Sequence, residues 1–70
     1  MTPITAPMVG KILKIQVNVG QSVQEDDAIM VMEAMKMEIP ILAPVTGTIK
    51  EIKVSVGDMV QSEAIVALLD

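Results

Sequence analysis

Apolar and polar residues alternate along two stretches of the chain. In both stretches every second residue is β-branched and apolar and the residues between are polar; the two series are Ile15, Val17, Val19 and Ile52, Val54, Val56. A period of two residues is that of a strand with one buried face. The pattern predicts strands over 15–19 and 52–56, each ended by a glycine, Gly20 or Gly57.

The two stretches belong to an internal repeat. Residues 6–24 match residues 43–61 at a constant offset, with identities at Ala6/Ala43, Pro7/Pro44, Gly10/Gly47, Ile12/Ile49, Ile15/Ile52, Val17/Val54, Val19/Val56, Gly20/Gly57, Val23/Val60 and Gln24/Gln61. After these positions we expect the register to slip by one residue, so that Ala28-Ile29 meets Ala64-Ile65. A supersecondary unit used twice cannot bury its apolar face alone, so the two copies are predicted to clasp each other around a pseudo-twofold axis.

This repeat sets the expected domain organisation. We predict one domain over 1–70, with repeat halves of about 6–33 and 43–70 and a hairpin at 34–37 between them. A chain of 70 residues can bury only a limited apolar core, and two sheets that cover each other would bury it efficiently.

Three further strands follow from short apolar runs. Ala28 to Met32 and Ala64 to Leu69 are predicted to be buried strands, and Glu38 to Leu42 an edge strand, because Pro40 has no N–H to give to a ladder. Within each copy an odd step separates two apolar positions, Ile12 from Ile15 and Ile49 from Ile52. A bend or bulge in both halves would let both members of each pair face inward.

The segment Met30 to Glu38 supports two local structures. Its residues are good helix formers, so propensity alone favours a helix. However, its first part aligns with Val66 to Leu69 in the second copy, and its apolar residues do not form one stripe. We favour strand, turn, strand, with a helix as the alternative.

Composition narrows the function classes. The chain has no Cys, His or aromatic residue and a formal net charge of −4. Thiol chemistry and the usual proton shuttle are missing, so catalysis by the chain itself is not expected. A nucleic-acid partner is not expected either. The N-terminus does not resemble a signal peptide and the apolar runs are too short for a bilayer, so a soluble cytoplasmic protein without a membrane partner is predicted.

Lys36 has no counterpart in the second copy and lies between the two halves. A lysine amine is a poor nucleophile by itself, but an enzyme that presents an activated acyl group can convert it into an amide. A hairpin tip would project the amine toward such an enzyme. Glu33 and Glu38 could contact a basic partner surface or simply keep the hairpin solvated. The other lysines are expected to be solvated surface side chains: Lys11, Lys14, Lys50 and Lys53.

The acidic cluster and most of the methionines are expected to have only structural roles. The acidic cluster at 25–27 lacks the spacing of a calcium loop, so we expect a solvated turn and no metal site. Most of the methionines are expected to fill the core: Met8, Met30, Met32 and Met59. Met35 and Met37 are exceptions because they flank the predicted turn.

The string Glu33-Ala34-Met35-Lys36-Met37, with the pattern G-x-I-x-x-I-x-V-x-x-G-x-x-V on both sides, resembles the biotinyl carrier domains of biotin-dependent carboxylases, within the biotin/lipoyl attachment family. The resemblance runs from Ala6 to Leu69. It implies an all-β fold, a flattened barrel or sandwich of two four-stranded antiparallel sheets, with both termini in one sheet and the modified lysine on a hairpin in the other.

The resemblance also implies site residues. Lys36 matches the biotinylated position, and Glu33, Ala34, Met35 and Met37 match the recognition motif around it. Met35 and Lys36 would be the central residues of a tight turn that favours positive φ, at a cost of about 1–3 kcal/mol.

By the same resemblance, the chain is a biotin carboxyl carrier, monomeric in isolation and without catalytic residues. A biotin protein ligase would attach biotin, and the carrier would then serve a biotin carboxylase and a carboxyltransferase. A lipoyl carrier is one alternative, with lipoate as the cofactor, although paired methionines favour biotin. An unmodified structural module is another.

The sequence departs from this family in three respects. Many members have glycine at Asp26 and near Glu63, and polar residues where Ile39-Pro40-Ile41 stand here. The protruding insert of some bacterial carriers is also absent.

Overall fold

The computed structural model describes residues 1–70 and contains eight β-strands. They are β1 (Thr2–Thr5), β2 (Gly10–Ile15), β3 (Ser22–Val23), β4 (Ala28–Ala34), β5 (Met37–Leu42), β6 (Gly47–Ile52), β7 (Met59–Val60) and β8 (Ile65–Leu69). The chain has no helix, and therefore none long and apolar enough to cross a membrane.

The strands form two antiparallel sheets of four. The first sheet has the order β1-β8-β6-β3 and the second the order β5-β4-β2-β7. The sheets do not close into a barrel, so the fold is a flattened sandwich. Both terminal strands lie in the first sheet, and the β4–β5 hairpin lies in the second, as predicted. Pro40 lies in β5, at the edge of its sheet, which confirms the inference from its missing N–H.

Each sheet takes two strands from each half of the chain. β7 of the second half adds to β2 of the first, and β3 of the first half adds to β6 of the second. β1 likewise pairs with β8, so the halves are interleaved. This arrangement confirms that the two copies cover each other instead of folding separately.

The structure corrects the register of the repeat. Ile12 pairs with Met32 and Ile49 pairs with Leu69, so equivalent residues stay 37 positions apart in the late strands. The predicted slip of one residue is wrong, because Ala28 and Ile65 occupy the same place at the start of β4 and β8.

The same interval of 37 positions extends the repeat toward the N-terminus. Pro3 and Ile4 of β1 are equivalent to Pro40 and Ile41 of β5, and both isoleucines are buried. β1 was not predicted from the sequence. The two short strands β3 and β7 were not predicted either.

Irregularities occur in both copies at the predicted place. The register of β2 against β4 shifts between Ile12 and Lys14, and that of β6 against β8 shifts between Ile49 and Glu51. The shift lets Ile12 and Ile15, an odd step apart, both contact the core. The prediction of a bend or bulge is confirmed.

The strands predicted over 15–19 and 52–56 are misplaced. β2 and β6 end at Ile15 and Ile52, near where those predictions begin. Residues 16–18 carry the chain from one sheet to the other, so Val17 is buried without being part of a ladder. Val19 lies in a turn and is exposed. The alternation therefore marks a half-buried crossing segment.

A single apolar core fills the space between the sheets. Its fully buried large side chains come from both halves: Ile4, Ile12, Ile29, Met30, Met32, Ile41, Ile49, Val66 and Leu69. Burying each contributes about 1.5–3 kcal/mol. Met30 and Met32 are core residues and Met8 packs against the core, as predicted, whereas Met59 is 70% exposed, so its assignment to the core is wrong.

Candidate functional site

A two-residue turn carries the candidate lysine. Ala34 of β4 pairs with Met37 of β5, so only Met35 and Lys36 lie between the strands. Their φ angles are 52° and 65°, both in the left-handed region that a type I′ hairpin turn requires. Strand, turn, strand is confirmed, and the helix alternative is wrong.

The turn projects Lys36 and its two neighbours into solvent. Met35 is 83% exposed and Met37 is 64% exposed, and Lys36 is exposed between them. Ala34 is buried at the base of the turn, where it anchors the hairpin on the core side. Lys36 forms no ion pair; the lysines that do are Lys50, with Asp70, and Lys53, with Glu51. The Lys36 amine is therefore accessible from outside.

Two carboxylates lie one position below the turn. Glu33 and Glu38 are directly opposite each other on β4 and β5, and both are exposed. Like charges in that arrangement repel and destabilise the hairpin slightly. On the other side of Glu33, Lys11 of β2 occupies the paired position. The base of the hairpin thus presents two acidic groups, of which Glu33 has Lys11 as a neighbour and neither forms an ion pair.

A groove of about 410 Å³ opens beside the hairpin. It is lined by Val9, Gly10, Lys11, Glu33, Ala34, Met35, Lys36 and Met59. Gly10 has a packing role here, since a Cβ at this position would collide with the backbone oxygen of Glu33 and the side chain of Met32. Val9, Lys11 and Met59 were not predicted from the sequence to be part of this region. Only the pairing of β7 with β2, a contact between the two halves, brings Met59 there.

The other sequence expectations concern residues outside the turn. Lys11, Lys14, Lys50 and Lys53 are all exposed, as predicted. The acidic cluster forms a turn in which an Asp27 carboxylate oxygen accepts a hydrogen bond from the Gln24 N–H at 2.8 Å. No group of three or more acidic, His or Cys side chains is arranged to hold a metal ion.

Positive φ also occurs at Asp26 and Glu63, the turn positions at or near which many members of the family have glycine. These two turn residues are equivalent in the repeat. The Asp26 N–H donates to the Ala43 carbonyl at 2.9 Å, and the Glu63 N–H donates to the Ala6 carbonyl at 2.8 Å. The glycine-like backbone is thus kept although the residues differ.

Comparison with known proteins agrees with this geometry. Residues 2–69 match the protein family described as "Biotin-requiring enzyme". The biotin carboxyl carrier protein of Streptococcus mutans is 61% identical over 33 residues, which are 47% of this chain and 25% of that protein. The gamma subunit of methylmalonyl-CoA decarboxylase from Veillonella parvula is 46% identical over 35 residues, 50% of this chain and 27% of the subunit.

A solved structure shows the same fold within a much larger protein. The urea carboxylase of Kluyveromyces lactis superposes with a TM-score of 0.92 and 29% identity over 97% of this chain, which is 6% of that enzyme. The chain therefore spans only a quarter or so of the two sequence relatives and a small part of the carboxylase. Because the family match takes in nearly every residue from β1 to β8, the chain belongs to the biotin-requiring enzyme family.

Proposed function

We propose that this chain is a biotin carboxyl carrier domain and that biotin is attached to Lys36. The observation that carries the proposal is the exposed, unpaired amine of Lys36 at the tip of a strained two-residue turn. The printed names of the relatives, a biotin carboxyl carrier protein and carboxylase or decarboxylase components, support the same function. These relatives favour biotin over lipoate.

The attachment needs little from the chain beyond access. A biotin protein ligase would present an activated carboxyl group to Lys36. The lone pair of Nζ attacks the acyl carbon, a C–N amide bond forms, the activating group leaves with its electron pair, and the amine gives up a proton to the ligase. The turn exposes Nζ for this reaction, and the recognition motif of Glu33, Ala34, Met35 and Met37 surrounds it.

The domain would serve two other proteins as a carrier. Attached biotin supplies a ureido nitrogen that holds a carboxyl group between a biotin carboxylase and a carboxyltransferase. The paired strands of the hairpin fix the point of attachment, while the long lysine side chain provides the reach. Tethering of this kind gives an effective concentration in the millimolar range, so the domain itself needs no catalytic residue.

Mass spectrometry of protein from its own host tests the proposal. Intact mass distinguishes biotin from lipoate, and peptide mapping locates the modified lysine. We expect biotin on Lys36 alone and no streptavidin signal from the Lys36→Arg variant. Lys14→Arg, at another exposed lysine, is the matched control and should be labelled normally.

Circular dichroism of the Lys36→Arg variant should show an unchanged fold. If that variant is still biotinylated, the site assignment is wrong. If the host protein carries lipoate, or carries nothing despite sufficient biotin and ligase, the carrier function is wrong.

A further inference from the structure

We propose that the groove beside the hairpin is a docking site for the biotin ring attached to Lys36. This inference rests on the proposed function and adds a second role for the domain, which is to hold its own cofactor between transfers. Lys36 itself lines the groove, together with Met35 on the same turn. Its volume, about 410 Å³, is in the range of small-molecule sites.

The strand register places the groove within reach of a flexible arm. Glu33 of β4 pairs with Lys11 of β2, and Lys11 pairs in turn with Met59 of β7. Directly paired residues project from the same face of a sheet, so these three side chains form one row on the outer surface. Neighbouring strands are about 4.8 Å apart, which puts β7 roughly 10 Å from the strand that leads to Lys36.

Large apolar side chains are exposed around this groove. Val9 is 60% exposed, Met59 is 70% exposed and Met35 is 83% exposed. Methionine is flexible and polarizable, so it adapts to an irregular apolar ligand such as a fused thioether ring. Burying part of this surface against the ring would lower the free energy of the modified domain.

The repeat provides an internal comparison. At the symmetry-related end of the molecule, the position of Val9 is taken by Thr46 and that of Met59 by Ser22. That end has polar residues and no groove. At these two positions apolar residues replace polar ones at the end that carries the modifiable lysine, and the hairpin turn that completes the groove belongs to that end alone.

Two charged groups at the groove match the polar part of biotin. The ureido group has two N–H donors and one carbonyl acceptor. The Lys11 ammonium can donate to the ureido oxygen, and the Glu33 carboxylate can accept from a ureido N–H. Neither side chain is engaged in an ion pair.

The docking is expected to be weak and reversible. An arm tethered at Lys36 has an effective concentration near the groove in the millimolar range. An intrinsic dissociation constant of about 1 mM would thus keep the ring docked roughly half of the time. The ring would remain available to partner enzymes.

Methyl NMR on biotinylated and unmodified protein of the same sequence tests the inference. With ¹³C-labelled methionine, we expect the Met59 methyl signal to shift on modification and to show cross-relaxation with biotin ring protons. Met37 is the control, because it is also exposed and adjacent to Lys36 but does not line the groove. Its methyl group should show no such contact.

Two substitutions that introduce the equivalent residues of the other repeat copy provide a further test. Met59→Ser and Val9→Thr introduce the residues of Ser22 and Thr46, so the fold should tolerate them. We expect them to abolish contacts between the ring and the remaining groove residues, including Met35, while intact mass shows full biotinylation.

The outcomes separate the two proposals. If the protein is fully biotinylated but Met59 does not respond, docking is refuted and the carrier function stands. If Met59→Ser leaves the ring unchanged but weakens binding to a partner carboxylase, the groove is a protein contact and docking is again refuted. If no biotin is attached, both proposals fail.

Discussion

The turn at Met35 and Lys36 allows a direct measurement of strain at the proposed attachment site. Both residues have positive φ, a region where a side chain with a Cβ costs about 1–2 kcal/mol and where type I′ turns favour Asn-Gly. Met35 is largely exposed, so replacing it removes little buried surface. We predict that the double substitution Met35→Asn/Lys36→Gly stabilises the domain.

The magnitude follows from two opposing effects. Two strained residues store roughly 2–4 kcal/mol, of which glycine at 36 removes its full share and asparagine at 35 a part. Glycine also raises the entropy of the unfolded chain, which costs about 0.4–1 kcal/mol. The net gain in unfolding free energy should be about 1–3 kcal/mol. For a domain of this size, that corresponds to a rise in Tm on the order of 10 °C.

The assay is urea and thermal denaturation followed by circular dichroism. The reference is Lys36→Arg, which lacks the modifiable amine and keeps a long side chain in the turn. Lys14→Gly is the matched control, since Lys14 is an exposed residue of β2 without positive φ. It should lose about 0.5–1 kcal/mol. An Asn-Gly variant no more stable than the Lys36→Arg reference would refute the strain argument.

Three further substitutions test the hairpin's base and surface by the same denaturation assays. Gly10→Ala should lower the free energy of unfolding by about 1–3 kcal/mol, because the new Cβ would collide with the Glu33 backbone. A change near zero would contradict this packing. Met32→Ala should lower the free energy of unfolding by about 2–5 kcal/mol, because Met32 is fully buried. Met35→Ala should change it by less than about 0.5 kcal/mol, because Met35 is exposed. Equal losses for the two variants would contradict the observed burial. Glu38→Lys should raise the free energy of unfolding by about 0.2–1 kcal/mol, because it places a positive charge opposite Glu33. The gain should be smaller at high salt, and a salt-independent effect would argue against charge repulsion.

The features predicted well from sequence depend on short-range rules. The odd step between Ile12 and Ile15 required an irregular strand, and the structure has a register shift there. Pro40 required an edge, and it lies in one. The repeat outweighed helix propensity around Met35, because a duplicated unit must use the same secondary structure twice.

The features missed depend on contacts between distant segments. A two-residue strand such as β7 is too short to show a period, and it exists only because β2 is beside it. Met59 was therefore assigned to the core, and the groove near Lys36 was not predicted. β1 was detectable, since Pro3 and Ile4 continue the match to Pro40 and Ile41, but only once the constant interval of the repeat is known.

The interleaved sheets bear on when the lysine becomes available during synthesis. The string around Lys36 leaves the ribosome before β6, β7 and β8 have emerged from the exit tunnel. β2, which supports the hairpin, pairs with β7 at its other edge, and two of the four strands of the opposing sheet, β6 and β8, also come later in the chain. Because contacts so far apart in sequence form late, we expect a nascent chain to display the motif on an unfinished scaffold. Recognition of the folded hairpin must then wait for nearly the whole domain to emerge.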